Sequence, residues 1–211
     1  MSAAERLNHV FDADVALRRA EAQFLEAPRQ AAAEALQAAI ARNLEETSED
    51  AVARLALMAE LVPRVLQDAP SVDALIAILG HESAIARAVA GRALLGIGYE
   101  RYVELARGVE RALDAKNASP AMEELPGIVA EIGEPSALKL LGRFLAHPNK
   151  EIVAAAMEAC VDLGDPAAIP LLEKFSGDER VVSIEDFEDE MSIRLGELAE
   201  ECMAELDADG E

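Results

Sequence analysis

The sequence predicts an all-α chain, a right-handed α-solenoid of about five stacked helical pairs behind an N-terminal helix. Three observations carry this. First, the seam Ile132-Gly133-Glu134-Pro135 returns 31 residues later as Leu163-Gly164-Asp165-Pro166. Each seam ends one helix and begins another: glycine suits the left-handed residue that closes a helix, Asp165 an N-cap, and Pro135 or Pro166 a first turn. A helix–seam–helix unit at such a period marks a stacked array. Second, apolar residues recur at helical spacing: Leu138, Leu141 and Leu145; Ile152, Ala156, Cys160 and Leu163; Ile169, Leu172 and Phe175. Each set is one stripe on a 3.6-residue helix, and a single pair cannot bury its own stripe without stacking on neighbours. Third, hydrophobic residues make up 52% of the 211, many of them alanine, while aromatics are 3% and Trp is absent. Alanine favours closely packed helices, and the scarcity of aromatic and β-branched runs disfavours sheet.

Taken in order, a first helix spans 3–26 and ends near Pro28. Helices follow near 30–43 and 49–67, with Thr47 or Ser48 as a cap and Pro63 expected to kink or split the second. Ser71 is expected to cap a helix to about 79, stopped by Gly80, and a helix from 82 to 97 ends at Gly98. The next pair, 99–114 and 120–132, is joined by the polar turn Lys116-Asn117-Ala118-Ser119-Pro120. Helices 135–146 and 149–163 are joined by Ala146-His147-Pro148-Asn149. The last pair is 166–176 and 187–206, with a longer connector from Ser176 to Asp186. Val181-Val182-Ser183-Ile184 is read as loop. Residues 1–70 are divergent repeats or a cap, 71–206 the repeats proper, and 207–211 an acidic tail.

The formal charge is −22, unevenly spread: residues 1–105 carry 16 acidic and 10 basic side chains, residues 106–211 carry 25 and 9. Such a field repels nucleic acid and anionic membrane and draws cationic surfaces. Solubility alone is the plainer use of the same charge. No segment has the continuous apolar length of a membrane span, and Met1–Asp14 lacks the apolar stretch of a signal peptide. Cys160 and Cys202 lie in helical patterns, as buried thiols of a reducing compartment do, so the expected setting is the cytoplasm.

The run from Asn149 through Leu163-Gly164-Asp165-Pro166 to Ala168-Ile169-Pro170-Leu171-Leu172 resembles the short bacterial HEAT repeat also found in phycobilin-lyase-like proteins: a polar turn, a Val-containing second helix, Leu-Gly-Asp, then an Ala-Ile-Pro-Leu-Leu opening. Residues 71–98 match less closely, and residues 1–70 only in helical character. HEAT repeats often carry Arg just after the Val of the second helix. Ala154 stands there in this chain, while Arg87 sits comparably in the earlier repeat. The resemblance implies that second helices line a concave face. It places Glu151, Ala155, Glu158 and Asp162 there from one helix, and Glu190, Arg194, Glu197 and Glu201 from the last.

Chemistry has few footholds. His81-Glu82 resembles the metal-ligand pairs of deoxyhypusine hydroxylase, a HEAT-like di-iron enzyme. Such a centre needs several convergent pairs, whereas His9 is followed by Val10 and His147 by Pro148, so His81 is read as a solvent-facing turn residue. Glu185, Asp186, Glu188, Asp189 and Glu190 form the densest acidic cluster, without the spacing or glycine of an EF-hand, and Asp207-Ala208-Asp209-Gly210-Glu211 imitates only the start of one. No nucleophile elbow or phosphate loop occurs. No residue is singled out as catalytic, metal-binding or cofactor-binding, and no cofactor is expected. The function read from the sequence is a non-enzymatic adaptor that binds a basic protein segment through an acidic face made of Glu151, Glu158, Asp162, Glu190, Arg194, Glu197 and Glu201. The alternatives are an enzyme or subunit of HEAT-like lyase or hydroxylase type and an acidic decoy that mimics DNA.

Overall fold

The computed structural model describes residues 1–115, 119–185 and 190–209. The chain is built of helices: α1 (Ala3–Leu25), α2 (Arg29–Leu44), α3 (Glu49–Val65), α4 (Asp68–Leu79), α5 (Ala84–Asp114), α6 (Ala121–Ile132), α7 (Ala137–Leu145), α8 (Lys150–Leu163), α9 (Ile169–Leu172) between two 3-10 turns, and α10 (Leu195–Asp209). α5 is two helices in one, broken at Arg101, whose φ of −147° and ψ of 56° leave the helical region. Its halves serve successive pairs. The pairs are therefore α2 with α3, α4 with the first half of α5, the second half of α5 with α6, α7 with α8, and the α9 segment with α10. The second helices stack in sequence: α3 on α5, α5 on α6, α6 on α8, α8 on α10. One continuous apolar core runs through them from Ala32 to Leu206.

The two seams close as their residues require. Gly133 and Gly164 are the C-caps of α6 and α8 with φ of 66° and 65°, the left-handed region that other residues enter at a cost. The Asp165 carboxylate accepts from the Ala167 N–H at 2.9 Å, and Asn149 caps α8 by accepting from Glu151 at 2.8 Å. At the break in α5 the helices approach too closely for a side chain. A Cβ on Gly98 would lie 2.2 Å from Ile132 Cδ1, and one on Gly108 2.2 Å from Val72 Cγ1.

Several expectations are corrected. α3 runs through Pro63 to Val65 without splitting, its flanking Leu61, Val62 and Val65 held in the core, and such tertiary packing overrides local propensity. α4 starts at Asp68, a turn before Ser71, on a residue with φ of 53°. Ser71 is therefore interior, buried, and its hydroxyl caps nothing. Val181–Glu185 is not loop but strand β1, paired antiparallel with β2 (Glu190–Arg194) in the register Val181↔Arg194 and Ser183↔Ser192. The last helix accordingly begins at Leu195, not 187. Val182 is buried and Ile193 packs on the core, so this ribbon is part of the body.

His81 is buried, not solvent-facing. Its Nδ1 accepts from the N–H of Ser83, the N-cap of α5, at 3.0 Å, and its Nε2 lies 3.3 Å from the Glu46 carbonyl oxygen. His147 repeats the arrangement: it is buried, and its Nδ1 accepts from the N–H of Asn149, the N-cap of α8, at 3.1 Å. Both histidines shape the turn between two helices of a pair. The connector residues Lys116-Asn117-Ala118 and most of the acidic cluster at 185–190 lie outside the described residues, as does the end of the Asp207–Glu211 run.

Candidate functional site

Successive second helices bring their first turns side by side. Glu123 lies in the first turn of α6 and Glu151 in that of α8, where carboxylates suit the helix N-terminus. Glu158 follows Glu151 by two turns on α8. These three, with Ala154 and Ala155 of α8 and Val182 and Ser183 of β1, line one groove of about 300 Å³. The hairpin forms its far wall and is tied to α8 by Lys150, whose Nζ donates to the Val181 carbonyl.

The groove is short of cations. Lys150 lies 3.5 Å from Glu151, while Glu123, Glu158 and Asp162 have no ion-pair partner among the described residues. Partial burial, and then the charges of Glu151 and Glu124, push the Glu123 carboxyl above its ordinary value. Partial burial, and then Asp162, do the same to Glu158. Glu158 keeps much exposed surface, so its carboxylate is partly desolvated at the base of an open groove rather than enclosed. Each shift records an ionised carboxylate held where neighbours and packing disfavour it. A cation entering the groove would relieve both effects.

Elsewhere several acids are paired across helices. Arg87 Nε donates to Glu124 at 2.6 Å, and its Nη1 donates to the carbonyls of Glu82 at 2.8 Å and His81 at 3.3 Å. Arg111 meets Asp73 at 2.7 Å and Arg143 meets Asp114 at 2.5 Å. Counted from the two equivalent turn histidines, the position of Arg87 falls on Val153 rather than on Ala154. Val153 is fully buried and brings no charge.

The residues singled out from the sequence divide between two places. Glu151 and Glu158 share the groove, and Asp162 is exposed one turn beyond. Arg194 is not on the last helix but ends β2, and its guanidinium pairs with Glu197. That bond draws the Glu197 carboxyl below its ordinary value. Both line a separate pocket of about 270 Å³ with Asp178, Glu179 and Glu200. Glu201 is exposed on α10, and Glu190 lies on β2. Glu123 was not singled out, although the signal was available: α6 is a second helix like α8, and its first turn carries Glu123 and Glu124.

Burial pushes the thiols of Cys160 and Cys202 up to about 12, so both stay protonated and inert at neutral pH. Among the described residues, no three His, Cys, Asp or Glu side chains are grouped to hold a metal ion, and no described helix is long and apolar enough to cross a membrane.

Residues 108–184, from the second half of α5 to β1, match the family model of HEAT repeats. Residues 108–184 form a HEAT repeat domain. The groove lies within this HEAT segment, on its second helices and the strand at its end. No curated protein matches the chain. Among solved structures, an engineered protein is 19% identical to it, over 90% of this chain and 89% of that one, with a TM-score of 0.37.

Proposed function

We propose that the chain is an adaptor whose groove between α6, α8 and β1 receives a basic segment of a protein partner. The observation that carries this reading is the set of three carboxylates, Glu123, Glu151 and Glu158, in one groove served by one lysine at its rim. HEAT repeats commonly bind proteins, and stacked second helices offer an extended surface for it. An acidic lining speeds encounter with a cationic segment and rejects anionic ones. A lysine or arginine entering the groove replaces repulsion between carboxylates with charge-assisted hydrogen bonds. Asp162 and Glu201 extend the negative field beyond the groove. Arg194 and Glu197 satisfy each other, which leaves them a smaller share in binding.

The test is a parallel capture from host lysate with the wild-type chain and with Glu123→Gln/Glu151→Gln/Glu158→Gln, each washed at low and high salt. A basic protein kept by the wild type at low salt, released by high salt and not held by the triple variant supports the reading. Equal retention by both chains at both salts contradicts it.

A further inference from the structure

The first helix, α1, adds no residue to the core, and residues 1–20 are exposed throughout. It meets the body only near its C-terminus, where Phe24 and Leu25 pack on the core and Glu21 lies 3.7 Å from Arg64. Yet Leu7, Val10, Phe11 and Leu17 fall on one helical stripe with Val15 beside it, each between 45% and 62% exposed. Asp14 and Arg18 occupy the next turn of that stripe and pair at 3.0 Å, cancelling each other's charge. A helix of 23 residues held at one end draws little support from tertiary packing, which is where most helical stability in proteins comes from.

We propose that this stripe joins two copies of the chain, α1 lying antiparallel on its counterpart with the two-fold axis at Phe11. Three features favour a second copy over another occupant. The stripe is complementary to itself. A two-fold at Phe11 sets Phe11 on Phe11 and Leu7 opposite Val15 in both directions, and it brings Arg18 over the turn that holds Ala4 and Glu5. The charge is also right. Residues 1–25 carry four acidic side chains and three arginines in a chain of net −22, so two copies meet here with little of the repulsion that opposes contact elsewhere. A basic partner is drawn instead to the acidic C-terminal half, and an anionic membrane finds three arginines already offset. Finally, the area suffices: five large side chains about half exposed offer on the order of 450 Å² per copy, which with the flanking alanines carries two copies to the ~1,000 Å² of a specific interface. The pairing leaves the groove on α6 and α8 open in both copies, because α1 packs on α2 at the other end of the array.

The test is sedimentation equilibrium of the full chain up to roughly 200 µM, for wild type, Phe11→Glu, and Ala16→Glu on the opposite face of α1. The wild type is expected to dimerise, with a dissociation constant raised at least tenfold by Phe11→Glu and unchanged by Ala16→Glu. Phe11 and Ala16 both lie in solvent, so circular dichroism should stay the same. Oxidative cross-linking gives an independent reading: Phe11→Cys should form a covalent dimer and Ala16→Cys should not, with the buried Cys160 and Cys202 giving little background. A monomeric wild type, a dimer indifferent to Phe11→Glu, or cross-linking equal at positions 11 and 16 would overturn the proposal.

Discussion

Two stretches of the array treat their acids differently. Between α4 and α7, arginines reach from one helix to an acid on another: Arg111 to Asp73, Arg87 to Glu124, Arg143 to Asp114. At the groove, Val153 stands where Arg87 would, and Glu123, Glu151 and Glu158 have Lys150 at their edge. Exposed ion pairs are worth ~1 kcal/mol at most, so the contrast says little about stability. What it decides is which part of the surface carries an unneutralised field, and that is a property a partner reads.

The largest effect belongs to the first of these stretches, where α5 packs on α4. Gly108→Ala sets a Cβ 2.2 Å from Val72 Cγ1, within a packed core. Overpacking of this kind costs about 2 kcal/mol, a Tm loss of roughly 4–8 °C in a chain of this size. A thermal melt with no loss would mean that the helices can part there at no cost, and successive repeats would then be loosely coupled.

Next comes the seam. Gly164→Ala forces an L-residue to a φ of 65° and should cost about 1 kcal/mol. Gly127→Ala, in the helical interior of α6 with nothing within 4 Å of the added Cβ, should instead stabilise by up to ~1 kcal/mol. Opposite signs in denaturant midpoints would separate seam glycines from helical ones. Equal signs would remove the argument for the seams.

Arg87→Met sharpens the contrast in charge. It removes the ion pair to Glu124 and the bonds to two turn carbonyls, a loss of about 1 kcal/mol by chemical denaturation. Arg143→Met, which removes surface pairs alone, should cost about 0.5 kcal/mol or less.

The smallest effect carries the sign of the groove. The folded state holds the Glu158 proton more tightly than the unfolded chain does, because burial and Asp162 raise its value. The stabilisation from protonation is complete below the ordinary value of 4.5 and is lost as pH rises through the raised folded value. At pH 7, therefore, Glu158→Gln should gain a few tenths of a kcal/mol over wild type, and the gain should vanish as pH falls toward 4.5. A Gln variant less stable than wild type at pH 7 would show that Glu158 has a cation partner in solution.

Much of the array is legible because its signals are local. Gly133 and Gly164 close helices wherever they occur, Asp165 caps within two residues, and the stripe Ile152, Ala156, Cys160 lies on one helix. What escaped depends on distance or on weak periodicity. The ribbon β1–β2 is two five-residue runs, Val-Val-Ser-Ile-Glu and Glu-Met-Ser-Ile-Arg, whose alternation is diluted by charge, and reading the second as helix carried Arg194 to the wrong element. The burial of His81 rests on Glu46, 35 residues away. The exposure of α1 has no signal in its own sequence, for Leu7, Val10 and Phe11 read like any core-facing stripe until the rest of the chain declines to cover them. Within the groove, Glu151 and Glu158 were readable from one helix. Glu123 carried the same local signal in the first turn of α6, but its meeting with Glu151 depends on α6 stacking directly on α8.

The central claim is that the carboxylates of the groove bind a cationic segment, and the most direct measurement is fluorescence anisotropy of a labelled arginine-rich peptide titrated with the chain. For wild type the affinity should fall steeply with added salt. In Glu123→Gln/Glu151→Gln/Glu158→Gln it should be weaker by at least roughly tenfold at low salt, about 1.4 kcal/mol, with a shallower salt dependence. An acidic peptide of equal length should bind neither chain. Equal affinity of the basic peptide for both chains would contradict the account, because the groove would then be one acidic surface among many.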